Sequence, residues 1–286
     1  MAVQPQTSAL TEAAQVARAN ESSKQPVVFI HGLWLLAGSW DRWAEHFEEA
    51  GYVAVLPGWP DDPPSVADAN RHPEAFAGKG IRVVADHFED VIRGLKRKPA
   101  VIGHSLGGLL AQVIAGRGLA AASVAVDPGP FRGVLPVPYS ALKATGPALR
   151  NPGNFNRAVS LTFEQFRYGF ANAVDESEAK ELFATFAVPA PAKPLFQAAF
   201  ANLNPRTEAR VDTRNPARGP LLLMSGARDN TVPPAMVEAA FRLQKRNEGI
   251  TEFVSLAGRG HSLPIDSGWR EVAEIALAFV KRFAAP

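Results

Sequence analysis

The sequence predicts an α/β fold, a doubly wound and mostly parallel sheet of about six strands with a helical cap insertion. Three observations predict it. Six short apolar runs, each stopped by Gly or Pro, recur along the chain. Helical apolar stripes separate most of them. One interval, residues 129–216, is far too long for a simple connection between a strand and a helix.

The runs are Pro26–Ile30, Tyr52–Leu56, Ala100–Ile102, Ser123–Val126, Leu221–Met224 and Phe253–Leu256. Each is brief and rich in Val, Ile, Leu or Phe. Strands that are apolar at every position belong to a sheet covered on both faces, which means parallel strands with helical crossovers. Ile81, Val84, Ala85, Phe88, Val91, Ile92 and Leu95 form one helical stripe, with Arg82, Asp86, Glu89, Asp90 and Arg93 off it. Val272, Ile275, Ala276, Phe279, Val280 and Phe283 form another. Leu106–Gly118 is apolar nearly all round, as a helix buried at the centre of the sheet must be. Alternating strands and helices favour right-handed crossovers and a doubly wound sheet.

Residues 1–25 read as an N-terminal tail. Leu10, Ala13, Ala14 and Ala17 have the spacing of a short surface helix, with a frayed terminus as the competing expectation. No alternating strand pattern precedes Pro26, so no N-terminal hairpin is expected. Residues 26–128 and 217–286 are read as the α/β core. Residues 129–216 are read as a mainly helical cap above the C-terminal edge of the sheet, rich in Pro and Phe. Pro57–Gly80 is read as a polar, Pro-rich loop.

Composition narrows the function. The 286 residues are 47% hydrophobic, enough for one large core. The formal net charge is only +2, and Lys96-Arg97-Lys98 falls where a helix should end, so nucleic acid is not an expected partner. The chain has no cysteine, which excludes disulfides, thiolate catalysis and Cys-based metal sites. The first 25 residues lack the apolar core of a secretory signal, and no stretch is long and apolar enough to span a bilayer. A soluble, cytoplasmic enzyme is the expectation.

Gly103-His104-Ser105-Leu106-Gly107 carries the chemistry. The G-x-S-x-G pattern follows an apolar strand and opens an apolar helix, the context in which a serine is lifted on a sharp turn. A serine hydroxyl needs a base. His261, between Gly260 and Ser262 after the last apolar run, is placed to supply it. His46, His72 and His87 lie in helical or polar contexts. His31 reads as a structural residue of its loop. The imidazole must be held in one tautomer by a carboxylate. Asp229 follows the run Leu221–Met224 in a turn-rich loop and gives the order Ser, Asp, His. Asp127, at the end of Ser123–Val126, is the alternative acid, with capping of the Asp127-Pro128 turn as its competing role. Asp266 reads as a cap for the last helix. The oxyanion is expected to meet the backbone N–H groups of Leu106 and Leu33, with Trp34 as the substitute for Leu33. Trp34, Phe131 and Tyr139 are candidate pocket-lining residues.

On His31-Gly32-Leu33-Trp34, Gly103–Gly108, Gly226…Asp229…Val232-Pro233 and Gly260-His261-Ser262, residues 26–283 resemble the α/β-hydrolase superfamily. They are most similar to its cap-bearing bacterial esterases and to the enzymes labelled non-haem chloroperoxidases. The resemblance implies a serine hydrolase acting on small-molecule esters with an apolar group, through an acyl-enzyme, with no metal and no organic cofactor. Lactonase, thioesterase and cofactor-free perhydrolase chemistry use the same three side chains. Carboxylic ester hydrolysis is the commonest outcome and so the expectation. A non-catalytic ligand-binding protein on the same scaffold is the reading from a different class, and an intact Ser105–Asp229–His261 set argues against it.

Overall fold

Each apolar run becomes a strand of one sheet, and all but the half-buried edge strand at Thr251–Leu256 have their side chains buried on both faces. The computed structural model describes residues 7–286, so the first six residues of the expected tail lie outside the described residues. In chain order, α1 (Glu12–Glu21) precedes β1 (Pro26–Ile30), followed by α2 (Asp41–Glu49) and β2 (Val53–Val55). Next come α3 (Val66–Arg71), α4 (Ile81–Arg93), β3 (Ala100–His104), α5 (Leu106–Gly116) and β4 (Ala122–Val126). Between β4 and the next strand of the main sheet lie α6 (Tyr139–Leu149), β5 (Ala158–Val159), α7 (Phe163–Gly169), α8 (Glu176–Phe186), β6 (Ala190–Pro191) and α9 (Lys193–Ala199). Then β7 (Leu221–Gly226), α10 (Pro234–Gln244), β8 (Thr251–Leu256) and α11 (Trp269–Phe283) complete the fold.

The main sheet has six strands in the order β2-β1-β3-β4-β7-β8, and every pairing is parallel. Val28 and Ile30 of β1 face one core with Val84 and Phe88 of α4 and Leu109, Leu110 and Ile114 of α5, a helix buried along its whole length. Val27 and Phe29 face the opposite core with Trp43 and Phe47 of α2 and Val272 and Phe279 of α11. This period-two division makes the sheet doubly wound. From β1 the chain runs outward to β2 and then crosses to β3 on the other side of β1. The direction of winding therefore switches between β1 and β3, where open α/β sheets place their ligands.

No strand precedes β1 among the described residues. Instead α1 covers the open edge at β2. Gln15, buried, accepts from the Leu56 N–H at 2.6 Å and donates to the Leu56 carbonyl at 3.3 Å. Arg18 donates to the Ala54 carbonyl at 2.6 Å. These side chains satisfy edge groups that a flanking strand would otherwise pair. The inward face of α1 is therefore Gln15 and Ala19, while Ala13, Ala14 and Ala17 are exposed. The apolar spacing pointed to the wrong face because the helix docks through hydrogen bonds to a strand edge. The expected loop Pro57–Gly80 also contains a helix, α3, capped by the Ser65 side chain.

The residues between β4 and β7 hold four helices and the antiparallel pair β5–β6. Phe166, Phe170, Ala179 and Leu182 from this stretch belong to the same buried cluster as Val28 and Ile30. No helix among the described residues is long and apolar enough to cross a membrane.

Candidate active site

Ser105 sits at the turn from β3 into α5 with φ 57° and ψ −121°. That backbone region costs a residue with a Cβ roughly 1–3 kcal/mol, so surrounding contacts must impose it. They do: the Ser105 N–H donates to the Val126 carbonyl at 2.9 Å, and its own carbonyl accepts from Gly129 at 2.8 Å. The turn is possible because a Cβ on Gly103 would stand 2.0 Å from the Gly107 carbonyl oxygen, and one on Gly107 would stand 2.1 Å from that of Ile30.

His261 lies in the loop after β8 and is fully buried. Its Nε2 is 2.9 Å from Ser105 Oγ, and its Nδ1 is 2.5 Å from Asp229 Oδ2. A carboxylate can only accept, so Nδ1 carries the proton and Nε2 is free to accept from the hydroxyl. Asp229 follows β7. Its other oxygen accepts from the Thr231 and Val232 N–H groups at 2.6 and 2.9 Å, which fixes the carboxylate plane.

Asp127 is also buried beside this line, but its Oδ2 is 4.0 Å from His261 Nδ1 and its Oδ1 accepts from the Gly226 N–H at 2.7 Å. Burial first, and then the neighbouring Asp229 carboxylate, push the pKa of Asp127 well above the usual carboxylate range. The structure thus brings Asp229, not Asp127, into contact with the imidazole. The N-cap of α11 is Gly268 rather than Asp266, but Asp266 Oδ1 accepts the Gly268 N–H at 3.0 Å and its carbonyl accepts from Trp269 at 3.0 Å, at the entry to the helix. It accepts from Ser262 Oγ at 2.9 Å and pairs with Arg259, bracing the loop that carries His261.

Two residues at the site had no assigned role from sequence. Phe170, just after α7, sets its ring edge-on to His261 at 4.7 Å between centroids and accepts the Ser262 N–H on its carbonyl at 2.9 Å. The His104 ring lies 4.6 Å from that of His261, and neither of its nitrogens has a hydrogen-bond partner. Burial first, and then the nearby His261, push His104 well below the usual histidine range, so it is neutral. The sequence held a signal for each, an aromatic in the long insertion and the histidine inside the serine motif, but no periodicity that would aim either ring. His104, Asp127 and His261 place potential metal-ligating atoms within 4.8 Å of one another. Both His261 nitrogens are already engaged by Asp229 and Ser105, so a metal there would have to break the line.

Gly32 brings the loop after β1 against the serine: a Cβ there would stand 2.8 Å from that of Ser105. Neither the Leu33 nor the Leu106 N–H donates to a backbone acceptor among the described residues. His31 braces the loop, with Nδ1 2.9 Å from the Gly32 carbonyl and Nε2 3.1 Å from Asp62, which also faces Lys79 at 3.4 Å. Leu33, Leu106 and Ser105 open onto a cavity of about 340 Å³ whose other walls include Trp34, Val137, Leu142, Phe200 and Met236. Phe131 is instead buried in the core, and Tyr139 is 78% exposed, so neither lines the cavity. A larger cleft of about 700 Å³, with mixed polar and apolar walls along α1 and the Gly58–Val66 loop, does not reach Ser105.

Residues 27–275 match the family described as the alpha/beta hydrolase family. Among solved structures, the chain is similar to the monoacylglycerol lipase of Paleococcus ferrophilus, at 19% identity over 89% of this chain and 94% of that one, with a TM-score of 0.60. It is similar to a thermophilic esterase of Thermogutta terrifontis, at 19% identity over 91% and 90%, with a TM-score of 0.63. It is also similar to the meta-cleavage product hydrolase of Pseudomonas fluorescens, at 16% identity over 90% and 91%, with a TM-score of 0.58. No curated protein matches the chain in sequence.

Proposed function

Because the chain belongs to the alpha/beta hydrolase family, we propose that it is a serine hydrolase of carboxylic esters bearing an apolar group. The observation that carries this reading is the unbroken line Asp229–His261–Ser105 opening on a mostly apolar cavity. Ser105 Oγ attacks the ester carbonyl while its proton passes to His261 Nε2, and Asp229 stabilises the imidazolium through Nδ1–H. The N–H groups of Leu33 and Leu106 receive the oxyanion. The alcohol leaves with the proton from Nε2. Water, deprotonated by the same nitrogen, then releases the acid and restores Ser105. Each oxyanion donor of this kind is worth about 10²–10³ in rate.

We read residues 129–216 as the cap over this site. Trp34, Val137, Leu142 and Phe200 favour an apolar acyl or alcohol group of moderate size. An esterase and a lipase among the similar structures support ester chemistry. The test is a series of p-nitrophenyl esters of increasing acyl length run beside lactones and thioesters. The expected result is highest kcat/KM on an ester. Turnover of lactones or thioesters well above every ester would replace the substrate class while keeping the three residues.

A further inference from the structure

Nine large apolar side chains are exposed among the described residues, and seven of them fall between positions 135 and 203. Five of the seven line the Ser105 cavity or directly flank its lining residues in the chain. Val137, Leu142 and Phe200 line its wall while remaining exposed. Leu135, 73% exposed, sits between the lining residues Val134 and Pro136, and Leu203, 80% exposed, follows the lining residue Asn202. Asn202 joins the two segments by accepting from the Gly133 N–H at 2.7 Å and donating to the Val134 carbonyl at 2.8 Å. An apolar rim of this kind on a water-facing surface marks a place where something apolar docks.

The charge around the rim says what docks. From residue 128 to 163 the chain carries Arg132, Lys143, Arg150 and Arg157 and no carboxylate, and from 182 to 207 it carries Lys193 and Arg206 and no carboxylate. The ion pairs of the insertion lie elsewhere, at Arg167–Glu176 and Lys180–Glu176. Arg132 reaches the Pro205 carbonyl at 3.4 Å, which brings it alongside Arg206 and Leu203. An apolar rim whose own two segments carry cations and no carboxylate is complementary to acyl chains beneath anionic headgroups.

We propose that the mouth of the cavity is a docking surface for an anionic lipid–water interface, from which an acyl chain passes toward Ser105. This deepens the ester-hydrolase reading and rests on it for the fate of the acyl chain, but docking itself is independent of turnover. The test is co-sedimentation of the full chain with phosphatidylglycerol–phosphatidylcholine vesicles and with phosphatidylcholine vesicles alone. The wild type is expected to bind the anionic vesicles and to be released by salt. Leu135→Glu with Leu203→Glu should lower that binding at least about tenfold, since each change replaces an exposed apolar side chain that the lipid would cover with a charge that anionic headgroups repel. Neither residue lines the cavity, so this variant should keep the wild-type melting temperature and p-nitrophenyl acetate turnover. Arg132→Glu with Arg206→Glu should abolish the preference for phosphatidylglycerol. Ser105→Ala should bind like the wild type, so that failure to hydrolyse and failure to dock are read separately. The proposal is overturned if the wild type sediments with neither vesicle, or if both double variants bind unchanged. It is equally overturned if the wild type is a dimer in sedimentation velocity that the Leu135→Glu, Leu203→Glu variant dissociates, which would assign the surface to a second copy of the chain.

Discussion

Ser105 pays for its position with backbone strain, and that strain is measurable. Its φ of 57° is of the kind that glycine adopts freely. Ser105→Ala and Ser105→Gly should both lose about 10⁴-fold or more in kcat, because both remove the nucleophile. They should differ in stability: the glycine variant should be more stable than the alanine variant by about 1 kcal/mol, since it removes the strain. Thermal unfolding of the pair checks this. The two carboxylates near His261 should also separate. Asp229→Asn should lower kcat by about 10⁴-fold, since an amide no longer selects the Nδ1–H tautomer. Asp127→Asn keeps an oxygen to accept from Gly226 and removes a carboxyl whose ionisation burial opposes. It should leave kcat within about an order of magnitude, and should not lower stability at neutral pH. Kinetics and melting curves of both variants decide the assignment. His104 supplies a pH signature. Held neutral in the fold, it takes up a proton on unfolding below about pH 6.5, so it makes stability fall as pH falls through that value. In His104→Phe the dependence of unfolding free energy on pH below that point should be shallower by one proton, as denaturant titrations at several pH values would reveal.

At the scale of elements, α7 is the piece that ties distant loops together. The carbonyls of Tyr168 and Gly169 accept from Asn230 and Thr231 in the acid loop, and the carbonyl of Phe170 accepts from Ser262 beside the histidine. This explains what could and could not be read from the sequence. The core was legible because its strands are short runs apolar at every position and its helices repeat an apolar stripe, and the turn residues around Ser105, Asp229 and His261 were legible because glycine and strand ends mark them locally. The contacts of Phe170, the core position of Phe131 and the exposure of Tyr139 are decided by how a long, aperiodic insertion packs, which no local pattern encodes. The same holds for α1, whose docking face was hidden by its exposed alanines. Gln15→Ala would leave the Leu56 N–H and carbonyl without partners in a buried place. It should reduce stability by about 1–3 kcal/mol, measured by urea unfolding, without changing kcat.

For the whole molecule, the order β2-β1-β3-β4-β7-β8 is what assembles the site. The switch between β1 and β3 sets Gly32 and Leu33 against Ser105. The parallel strands β7 and β8 deliver Asp229 and His261 at the same edge. Helices on both faces bury the sheet, and the residues between β4 and β7 enclose the cavity. On the proposed reading, this edge activates one hydroxyl among all the serines of the chain. Labelling with a fluorophosphonate, followed by peptide mapping, distinguishes that hydroxyl from the others. About one label per chain is expected, on Ser105, with its loss in a His261→Ala variant that remains folded. Folded wild-type protein that takes no label, or takes it at another serine while Ser105 stays free, would contradict it.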